Sequence, residues 1–312
     1  MKDKKVCIVL PTKNESSTIQ KVIIDINKKF SDCNLQKPII IITDDSKDGT
    51  REIAKKCGAI VINGGGRGLG FAMYKGLKSC LKFSPDYILS CDADGQIDLN
   101  EIPVFLDPLE SQKADLIIGS RFMKAGSVMY KYRWRNRFGV IILSKILSMF
   151  TKQKITDSHG GMRAMNTSVV EQLEMLGTHT YVQETIIDAY EKGFRILEIP
   201  SVWKKRNSGG SKVVSSIPTY IFYTLPILLI RSKKHIKWLY SIGIVLICLA
   251  LLYFLFISWQ SSFEFKTMFD RLPSFVLIAL FILAGIQFFF FGFILQILKD
   301  VKYSVDRYIF KE

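Results

Sequence analysis

The chain has 312 residues, 48% of them hydrophobic, and a formal net charge of +15. A charge of that sign suits anionic lipid, phosphorylated ligands or nucleic acid, but no nucleic-acid-binding module is recognisable, so we expect no nucleic acid as a partner. The six cysteines form no Cys-x-x-Cys pair and only three histidines accompany them, which disfavours a zinc site or a redox dithiol.

Apolar runs alternate with amphipathic stretches along the first two hundred residues. Short apolar runs predict strands at Val6–Leu10, Pro38–Thr43, Ala59–Ile62, Tyr87–Cys91, Asp115–Gly119 and Arg195–Pro200. Helical spacing predicts helices at Ser16–Phe30, Thr50–Cys57, Phe71–Leu81, Val128–Phe150 and Val182–Lys192. The alternation of strands and helices predicts an α/β domain with a mainly parallel sheet covered on both faces.

Two acidic residues, Asp92 and Asp94, directly follow the fourth predicted strand, and Gly95 and Gln96 come after them. Residues two apart in an extended segment point to the same side. Ligands of open α/β sheets bind beyond the carboxyl ends of the strands, and oxygen ligands with open positions suit Mg²⁺ or Mn²⁺ shared with phosphates. The pattern therefore predicts a metal–diphosphate site; the alternative is a solvated acidic turn.

A glycine-rich segment, residues 64–70, precedes the third predicted helix. It contains neither Gly-x-Gly-x-x-Gly in register nor a following Gly-Lys-Ser/Thr, which excludes the dinucleotide fingerprint and the P-loop. The segment is either flexible backbone near a ligand or a simple turn.

The C-terminal part contains two stretches without any charged residue, Trp238–Ile257 and Pro273–Leu298. About 20 apolar residues span the hydrocarbon core as a helix, so we predict a transmembrane hairpin. Basic residues flank its outer ends: Arg231, Lys233, Lys234, Lys237, Lys299, Lys302, Arg307 and Lys311. The positive-inside bias then places both termini in the cytoplasm. The predicted division is a soluble domain over 1–212, interfacial juxtamembrane helices over 213–236 and the hairpin over 237–312.

Further motifs occur in a fixed order along the chain. Pro11–Glu15 follows the first predicted strand, Asp44–Thr50 the second and Asp92–Gln96 the fourth; Gly119–Arg121, Asp157 with Gly161–Arg163, and Arg206 with Gly209 and Ser211–Lys212 continue the series. Together they resemble the family 2 glycosyltransferases of the dolichol-phosphate mannosyltransferase or polyprenyl-phosphate glycosyltransferase type, in the membrane-anchored branch. The resemblance covers roughly residues 5 to 212.

This resemblance implies a GT-A fold, a single Rossmann-like unit that binds a nucleotide sugar with either UDP or GDP as the nucleotide. Pro11, Glu15 and Asp44 or Asp45 would contact the nucleoside, Asp92 would lie near the sugar and ribose, and Asp92, Asp94 and Gln96 would hold Mg²⁺ or Mn²⁺ against the diphosphate. Alternatively, Glu15 is an acid favoured at a helix N-terminus, and Asp44 and Asp45 belong to a turn or cap.

The implied acceptor is a polyprenyl phosphate, dolichyl or undecaprenyl. Its second pKa is near 6, so it is mostly dianionic at neutral pH and can attack the anomeric carbon without a strong base, inverting that centre. Because the planar fork of arginine matches phosphate oxygens, Arg121 and Arg135 are the first candidates to bind it. Arg163, Arg206 and Lys212 come next, for the acceptor or donor phosphates.

Asp157 would orient the acceptor or assist proton transfer, which places it with Asp92, Asp94 and Arg121 among the catalytic candidates. The alternative for Asp157 is an ion pair with Arg163. His159 is expected to be a structural hydrogen-bond partner. Glu184 would either shape the sugar pocket or cap a helix.

Three other functions compete. A processive synthase would carry Gln-x-x-Arg-Trp, but Tyr130 stands in the glutamine position before Arg133 and Trp134. A transferase to a diacylglycerol-type hydroxyl would need a base, which would make Asp157 essential. A non-catalytic membrane-anchored nucleotide-binding scaffold would lack the acidic residues that are present here. The sugar, the donor nucleotide, the isoprenoid length and the oligomeric state, a homo-oligomer included, stay open.

Overall fold

The computed structural model describes residues 2–130, 132, 134–175, 181–205, 235–260 and 271–309. The chain divides into two compact units, Met1–Arg231 and Ser232–Glu312. The first contains an α/β domain and the second a pair of apolar helices.

One sheet of seven strands organises the first unit. The strands are β1 Val6–Thr12, β2 Ile39–Asp44, β3 Ile60–Asn63, β4 Tyr87–Ser90, β5 Leu116–Ser120, β6 Arg163–Asn166 and β7 Ile196–Pro200. The helices are α1 Ile19–Asp32, α2 Thr50–Lys56, α3 Leu69–Cys80, α4 Ile102–Glu110, α5 Trp134–Thr151, α6 Thr167–Gln172 and α7 Val182–Glu191, with 3₁₀ turns at Leu81–Phe83 and Leu99–Glu101.

The sheet is mixed and mainly parallel, in the order β3-β2-β1-β4-β6-β5-β7. Strands β3, β2, β1 and β4 are parallel neighbours, and β5 pairs in parallel with β7. Among the described strands, only β6 runs antiparallel, to β4 on one side and β5 on the other. The parallel strands end together at one edge, where the predicted motifs lie.

Strand β1 is buried on both faces. Its alternate side chains point to opposite sides, so Ile8 and Leu10 pack in a core with Ile23 of α1. Val9 enters the second core with Met73 of α3. This two-sided burial explains the nearly continuous apolar sequence of the strand.

The structure departs from the predicted elements at several places. Strand β6 was not predicted because only two of its four residues are apolar; it forms because it pairs with β4 from Ser90–Arg163 to Tyr87–Asn166. Helices α4 and α6 were not predicted either, and α4 contains an internal proline, Pro108. Helix α5 begins at Trp134 rather than Val128, because Val128 forms an isolated bridge with Trp203.

The second unit contains α8 His235–Gln260 and α9 Leu272–Ile309. Ile236–Gln260 and Leu272–Ile297, with mean hydropathies of 2.7 and 2.5, are long and apolar enough to cross a membrane. The two helices approach closely at Gly243, where an added Cβ would lie 2.9 Å from the carbonyl oxygen of Gly285, a use of small residues common between membrane helices. The two predicted spans fall on α8 and α9, while residues 213–234 lie outside the described part of the chain.

Candidate active site

The predicted nucleoside-binding residues lie at the ends of β1 and β2. Asp44 is fully buried, and its Oδ1 accepts a hydrogen bond of 2.8 Å from Thr12 Oγ1. Its Oδ2 lies 3.3 Å from Arg51 Nε. Asp45 is half-buried, and its Oδ1 accepts a 2.9 Å bond from the N–H of Gly66. Asp44 thus joins two strand ends, whereas Asp45 holds the glycine-rich segment against the sheet edge.

The segment after β1 is tied to its neighbours by side-chain hydrogen bonds. The N–H of Glu15 donates to Thr50 Oγ1 at 3.0 Å, and the N–H of Ser16 donates to Asp48 Oδ2 at 3.2 Å. Burial opposes ionisation of Asp48, but the hydrogen bonds from Thr50 and Ser16 outweigh it and lower its pKa to about 2. Thr18 Oγ1 donates to the carbonyl of Ala93 at 2.9 Å. Pro11 and Glu15 therefore share one sheet edge with residues 92–97, which follow β4 and form the acidic loop.

The acidic loop after β4 holds Asp94 in a fixed position. Asp94 is 5% exposed, and its Oδ1 accepts a 3.0 Å bond from the N–H of Gln96. The side-chain amide of Gln96 donates to the carbonyl of Lys204 at 3.2 Å, so the amide oxygen is the end that a cation would take. Asp92 lies against Gly161, because a Cβ built there would lie 2.6 Å from Asp92 Oδ2.

These donors fit a hard divalent ion that is shared with a ligand. Carboxylate and amide oxygens are ligands that Mg²⁺ and Mn²⁺ accept, and Mg²⁺ is usually held by one or two carboxylates together with phosphates and water. Within the described ranges, no group of three or more His, Cys, Asp or Glu side chains is arranged to hold an ion. Asp92, Asp94 and Gln96 would supply only part of a coordination shell.

Arg121, directly after β5, forms a buried bidentate pair with Asp157. Its Nε and Nη2 donate to Asp157 Oδ2 and Oδ1 at 2.6 and 2.8 Å, and its backbone N–H donates to Oδ2 at 3.0 Å. The N–H of His159 donates to Oδ1 at 3.0 Å. Each carboxylate oxygen thus accepts two hydrogen bonds, which occupies the roughly four lone-pair sites of an ionised carboxylate.

The electrostatics of this pair keep Asp157 ionised. Burial raises the pKa of Asp157, but the charge and hydrogen bonds of Arg121 outweigh burial, so the net pKa lies below the usual range. Burial lowers the pKa of His159 to about 4, and the nearby Arg121 charge contributes. His159 is therefore neutral at physiological pH, consistent with its hydrogen bond to Ser158 Oγ at 2.8 Å.

Aromatic side chains surround the Arg121 guanidinium. Its central carbon lies 4.7 Å from the ring centroid of Trp203, 5.3 Å from Phe122 and 5.4 Å from Tyr132, within the range of cation–π attraction. Burial raises the pKa of Tyr130, whose hydrogen bond with Arg121 lowers it and whose neighbour Asp94 raises it. Tyr130 is therefore close enough to Arg121 and to Asp94 for both charges to act on its hydroxyl.

Arg163 lies deeper than Arg121, the other candidate arginine whose side chain is described. It is fully buried, and its Nη1 donates to Thr185 Oγ1 at 2.7 Å while its Nε donates to the carbonyl of Gly160 at 3.3 Å. The structure pairs Asp157 with Arg121, which corrects the alternative of an Asp157–Arg163 ion pair. Glu184 is buried within the first turn of α7.

Three further candidates fall outside the described side chains. Arg135 lies in the first turn of α5, but its side chain is not described, and Arg206 and Lys212 lie outside the described residues altogether.

Sequence reasoning missed residues that hold the site together. Glu198 of β7 accepts bonds of 2.9 and 2.8 Å from the backbone N–H groups of Thr156 and Asp157, which fixes the segment that carries Asp157. Trp203 bridges Ile97 of the acidic loop and Val128. A signal for Glu198 was available, since a single acid inside an apolar strand needs a buried partner.

The match to a known protein family falls within the first unit of the chain. The Glycosyl transferase family 2 profile matches residues 7–174. The low-salt glycan biosynthesis hexosyltransferase Agl6 of Haloferax volcanii is 31% identical over 215 residues, 68% of this chain but 50% of Agl6, so this chain spans about half of that relative. The dolichyl-phosphate hexose transferase of the same organism is 28% identical over 64% of this chain and 82% of its own length.

Solved structures share the fold. Glucosyl-3-phosphoglycerate synthase from Mycobacterium tuberculosis, in complex with Mn²⁺, UDP and glucosyl-3-phosphoglycerate, has a TM-score of 0.55 at 19% identity, over 74% of this chain and 80% of that one. Mannosyl-3-phosphoglycerate synthase from Rubrobacter xylanophilus has a TM-score of 0.58 at 17% identity, over 74% and 75%. The predicted GT-A fold with a Rossmann-like core is thereby confirmed.

Proposed function

The chain belongs to glycosyl transferase family 2, and we propose that it is an inverting glycosyltransferase that moves a hexose from a nucleoside diphosphate sugar to a polyprenyl phosphate at the cytoplasmic face of a membrane. One observation carries the proposal: the acidic loop after β4 and Arg121 after β5 lie at the same edge of the sheet, and Trp203 contacts both. Likeness to a dolichyl-phosphate hexose transferase supports the acceptor class.

The donor is assigned to the edge formed by β1, β2 and β4. Pro11, Glu15 and Asp45 would contact the nucleoside, and Asp92 the sugar. Asp94 and Gln96 would hold Mg²⁺ or Mn²⁺, which would offset the negative charge of the departing nucleoside diphosphate when bound. Asp44, fully buried and bonded to Thr12, would support this edge from beneath.

The acceptor chemistry follows from the state of Asp157. A phosphate dianion needs no strong base: one of its oxygens forms the new bond to the anomeric carbon while the bond from that carbon to the nucleoside diphosphate breaks, with no proton transferred. Asp157 is ionised and its lone pairs are occupied by Arg121 and His159. That occupancy favours a phosphate acceptor over a diacylglycerol hydroxyl, which would need Asp157 as a base.

Asp157 is thus a positioning residue for Arg121. The guanidinium group of Arg121 has five N–H donors, and Asp157 uses two of them, so the others can bind a phosphate. The surrounding rings of Phe122, Tyr132 and Trp203 limit how far the group can move. We assign Arg121 and Arg135 to the acceptor phosphate, and Arg163, Arg206 and Lys212 to further phosphate contacts. Arg163 is completely buried, which leaves a phosphate little room to reach it.

The membrane part would keep the catalytic domain, residues 1–212, near the lipid. We take residues 213–236 as the juxtamembrane segment and 237–312 as the hairpin, with both termini in the cytoplasm, since basic residues flank the outer ends. An isoprenoid tail stays in the bilayer, so its phosphate lies at the surface where such a domain can reach it.

The direct test is transfer of label into lipid. The purified full chain is incubated with polyprenyl phosphate or, in parallel, with diacylglycerol, together with Mg²⁺ or Mn²⁺ and a panel of radiolabelled UDP- and GDP-hexoses, and label is counted in the organic phase. We expect transfer from at least one donor, abolished by Asp94→Asn and retained in Asp107→Asn, whose side chain is exposed on α4. Transfer from no donor would refute the proposal, and label in a diacylglycerol glycolipid instead would establish the rival acceptor.

A further inference from the structure

Trp203 carries a buried polar group that no described residue satisfies. The side chain is 6% exposed, and among the described residues Nε1 has no hydrogen-bond acceptor. Buried N–H groups in folded proteins are nearly always paired, so an orphan calls for a specific explanation. An indole N–H can only donate, so the partner must be an oxygen or another acceptor.

The backbone around Trp203 fixes the position of the ring. Its N–H donates to the carbonyl of Ser127 at 2.7 Å, and its carbonyl accepts from the N–H of Met129 at 2.9 Å. The Arg121 guanidinium covers the ring at 4.7 Å from its centroid. Because Arg121 occupies one face of the ring, the in-plane N–H is the polar group of the indole that can still bind a ligand.

The indole edge that runs from Nε1 along Cζ2 to Cη2 borders Gly161, and so does the Asp92 carboxylate. Nε1 and Cζ2 are neighbouring positions on that edge, and their hydrogens point to the same side of the ring system. A Cβ built on Gly161 would lie 3.1 Å from Trp203 Cζ2, 3.2 Å from Trp203 Cη2 and 2.6 Å from Asp92 Oδ2. The donor edge of Trp203 and the carboxylate of Asp92 therefore border the same space beside Gly161.

A donor next to a carboxylate matches a hydroxyl group. A hydroxyl accepts one hydrogen bond and donates another, so it can receive the indole N–H while donating to Asp92. A phosphate oxygen in the same place would be repelled by the negative charge of Asp92. We propose that Trp203 Nε1 donates a hydrogen bond to one hydroxyl of the sugar carried by the donor nucleotide, which makes Trp203 a specificity-determining residue.

This inference rests on the proposed function, and a binding experiment on the full chain separates the two. Trp203→Phe removes the N–H and keeps an aromatic ring beneath Arg121. By titration calorimetry with Mg²⁺ or Mn²⁺, we expect the variant to bind the nucleotide sugar about 3- to 10-fold more weakly, the value of one hydrogen bond. Binding of the nucleoside diphosphate alone is expected to be unchanged. Trp259→Phe, at an exposed position of α8, is the matched control and should change neither.

A cycle with deoxy sugars identifies the hydroxyl. For one monodeoxy donor, Trp203→Phe should lose less affinity than wild type does, because the bond from the indole is already absent in the variant while the bond to Asp92 is lost in both. Additive losses at every sugar position would overturn the inference. Equal weakening of nucleoside diphosphate binding would overturn it as well, since the ring change would then act on the whole site.

The remaining outcomes are also decisive. A change confined to the KM for lipid phosphate would place the N–H on the acceptor and refute the sugar assignment. Wild type that binds the nucleotide sugar but transfers nothing to any lipid would refute the proposed function, while the binding cycle still decides the role of Trp203. Wild type that binds no nucleotide sugar would overturn both. Thermal unfolding of each variant, expected to match wild type, shows that Trp203→Phe is folded.

Discussion

Replacing Asp157 by asparagine is expected to destabilise the first unit strongly. Asp157 Oδ2 accepts from the backbone N–H and Nε of Arg121, and Oδ1 accepts from Arg121 Nη2 and the backbone N–H of His159. Asparagine keeps one acceptor oxygen and places an NH₂ group at the other position, so two of the four donors lose their acceptor whichever way the amide turns. Arg121, 6% exposed, is then left as a buried cation without a counter-charge.

Breaking a buried ion pair from one side costs about 3–5 kcal/mol. For a domain of 150–250 residues each kcal/mol shifts Tm by about 2–4 °C, so the expected fall is roughly 6–20 °C. The stability that ionised Asp157 contributes is present above its unfolded pKa of about 3.9 and is lost as pH falls through the lower folded pKa. The measurement therefore belongs at pH 7.

The chain offers a matched control on its surface. Arg195 contacts Asp115 in the same pattern, through its backbone N–H, Nε and Nη2, and Asn166 supplies the fourth donor. The side chain of Arg195 is 56% exposed, so water can replace the lost acceptor in Asp115→Asn, and the fall in Tm should be much smaller.

Unfolding can be followed with a thiol-reactive dye, because Cys7, Cys80 and Cys91 of the first unit are buried. A fall in Tm for Asp157→Asn no larger than that of Asp115→Asn would refute the reasoning that the buried pair holds Arg121.

Three other predictions test separate parts of the account. Asp92→Asn and Asp94→Asn should each lower kcat for lipid glycosylation by about 100-fold or more. Asp94→Asn should also remove the dependence of nucleotide binding on Mg²⁺ or Mn²⁺, and an unchanged titration of that variant would contradict the metal assignment. The pKa of His159 is about 4 in the folded protein and about 6.5 in the unfolded chain, so the unfolded chain binds the proton first as pH falls. The free energy of unfolding of wild type should therefore decrease between pH 6.5 and 4, by at most about 1.4 kcal/mol per pH unit, and Tm should fall with it. His159→Gln should flatten that slope, and equal slopes would show that His159 does not titrate this way. Deleting Ser232–Glu312 should reduce turnover on lipid acceptor more than nucleotide-sugar binding, and equal loss of both would argue against the anchoring role.

The sequence predicted much of the sheet because its strands are apolar, and β1, β2, β4 and β5 are almost entirely buried. Six of the seven strands carry apolar runs long enough to be recognised locally, and the two apolar helices of the second unit were recognised for the same reason. Strand β6 escaped because RAMN has no such run. It is a strand only because β4 and β5 offer it edges to pair with.

Sequence order also indicated which polar residues gather at the carboxyl edge, since parallel strands end there together. It did not indicate their partners. Asp157 has Arg163 six residues away, yet it pairs with Arg121, thirty-six residues away in the chain.

The partners of Trp203 could not be predicted from the sequence either. In the sequence it directly precedes Lys204 and Lys205, and in the structure it bridges the acidic loop and Val128 beneath Arg121. Periodicity and residue type act over neighbouring positions, so the chain alone determined its strands, its apolar helices and the edge where chemistry gathers. Which charge meets which depends on how distant segments return to that edge, and buried pairs form where burial makes an unpaired charge too costly; only the tertiary structure decided that.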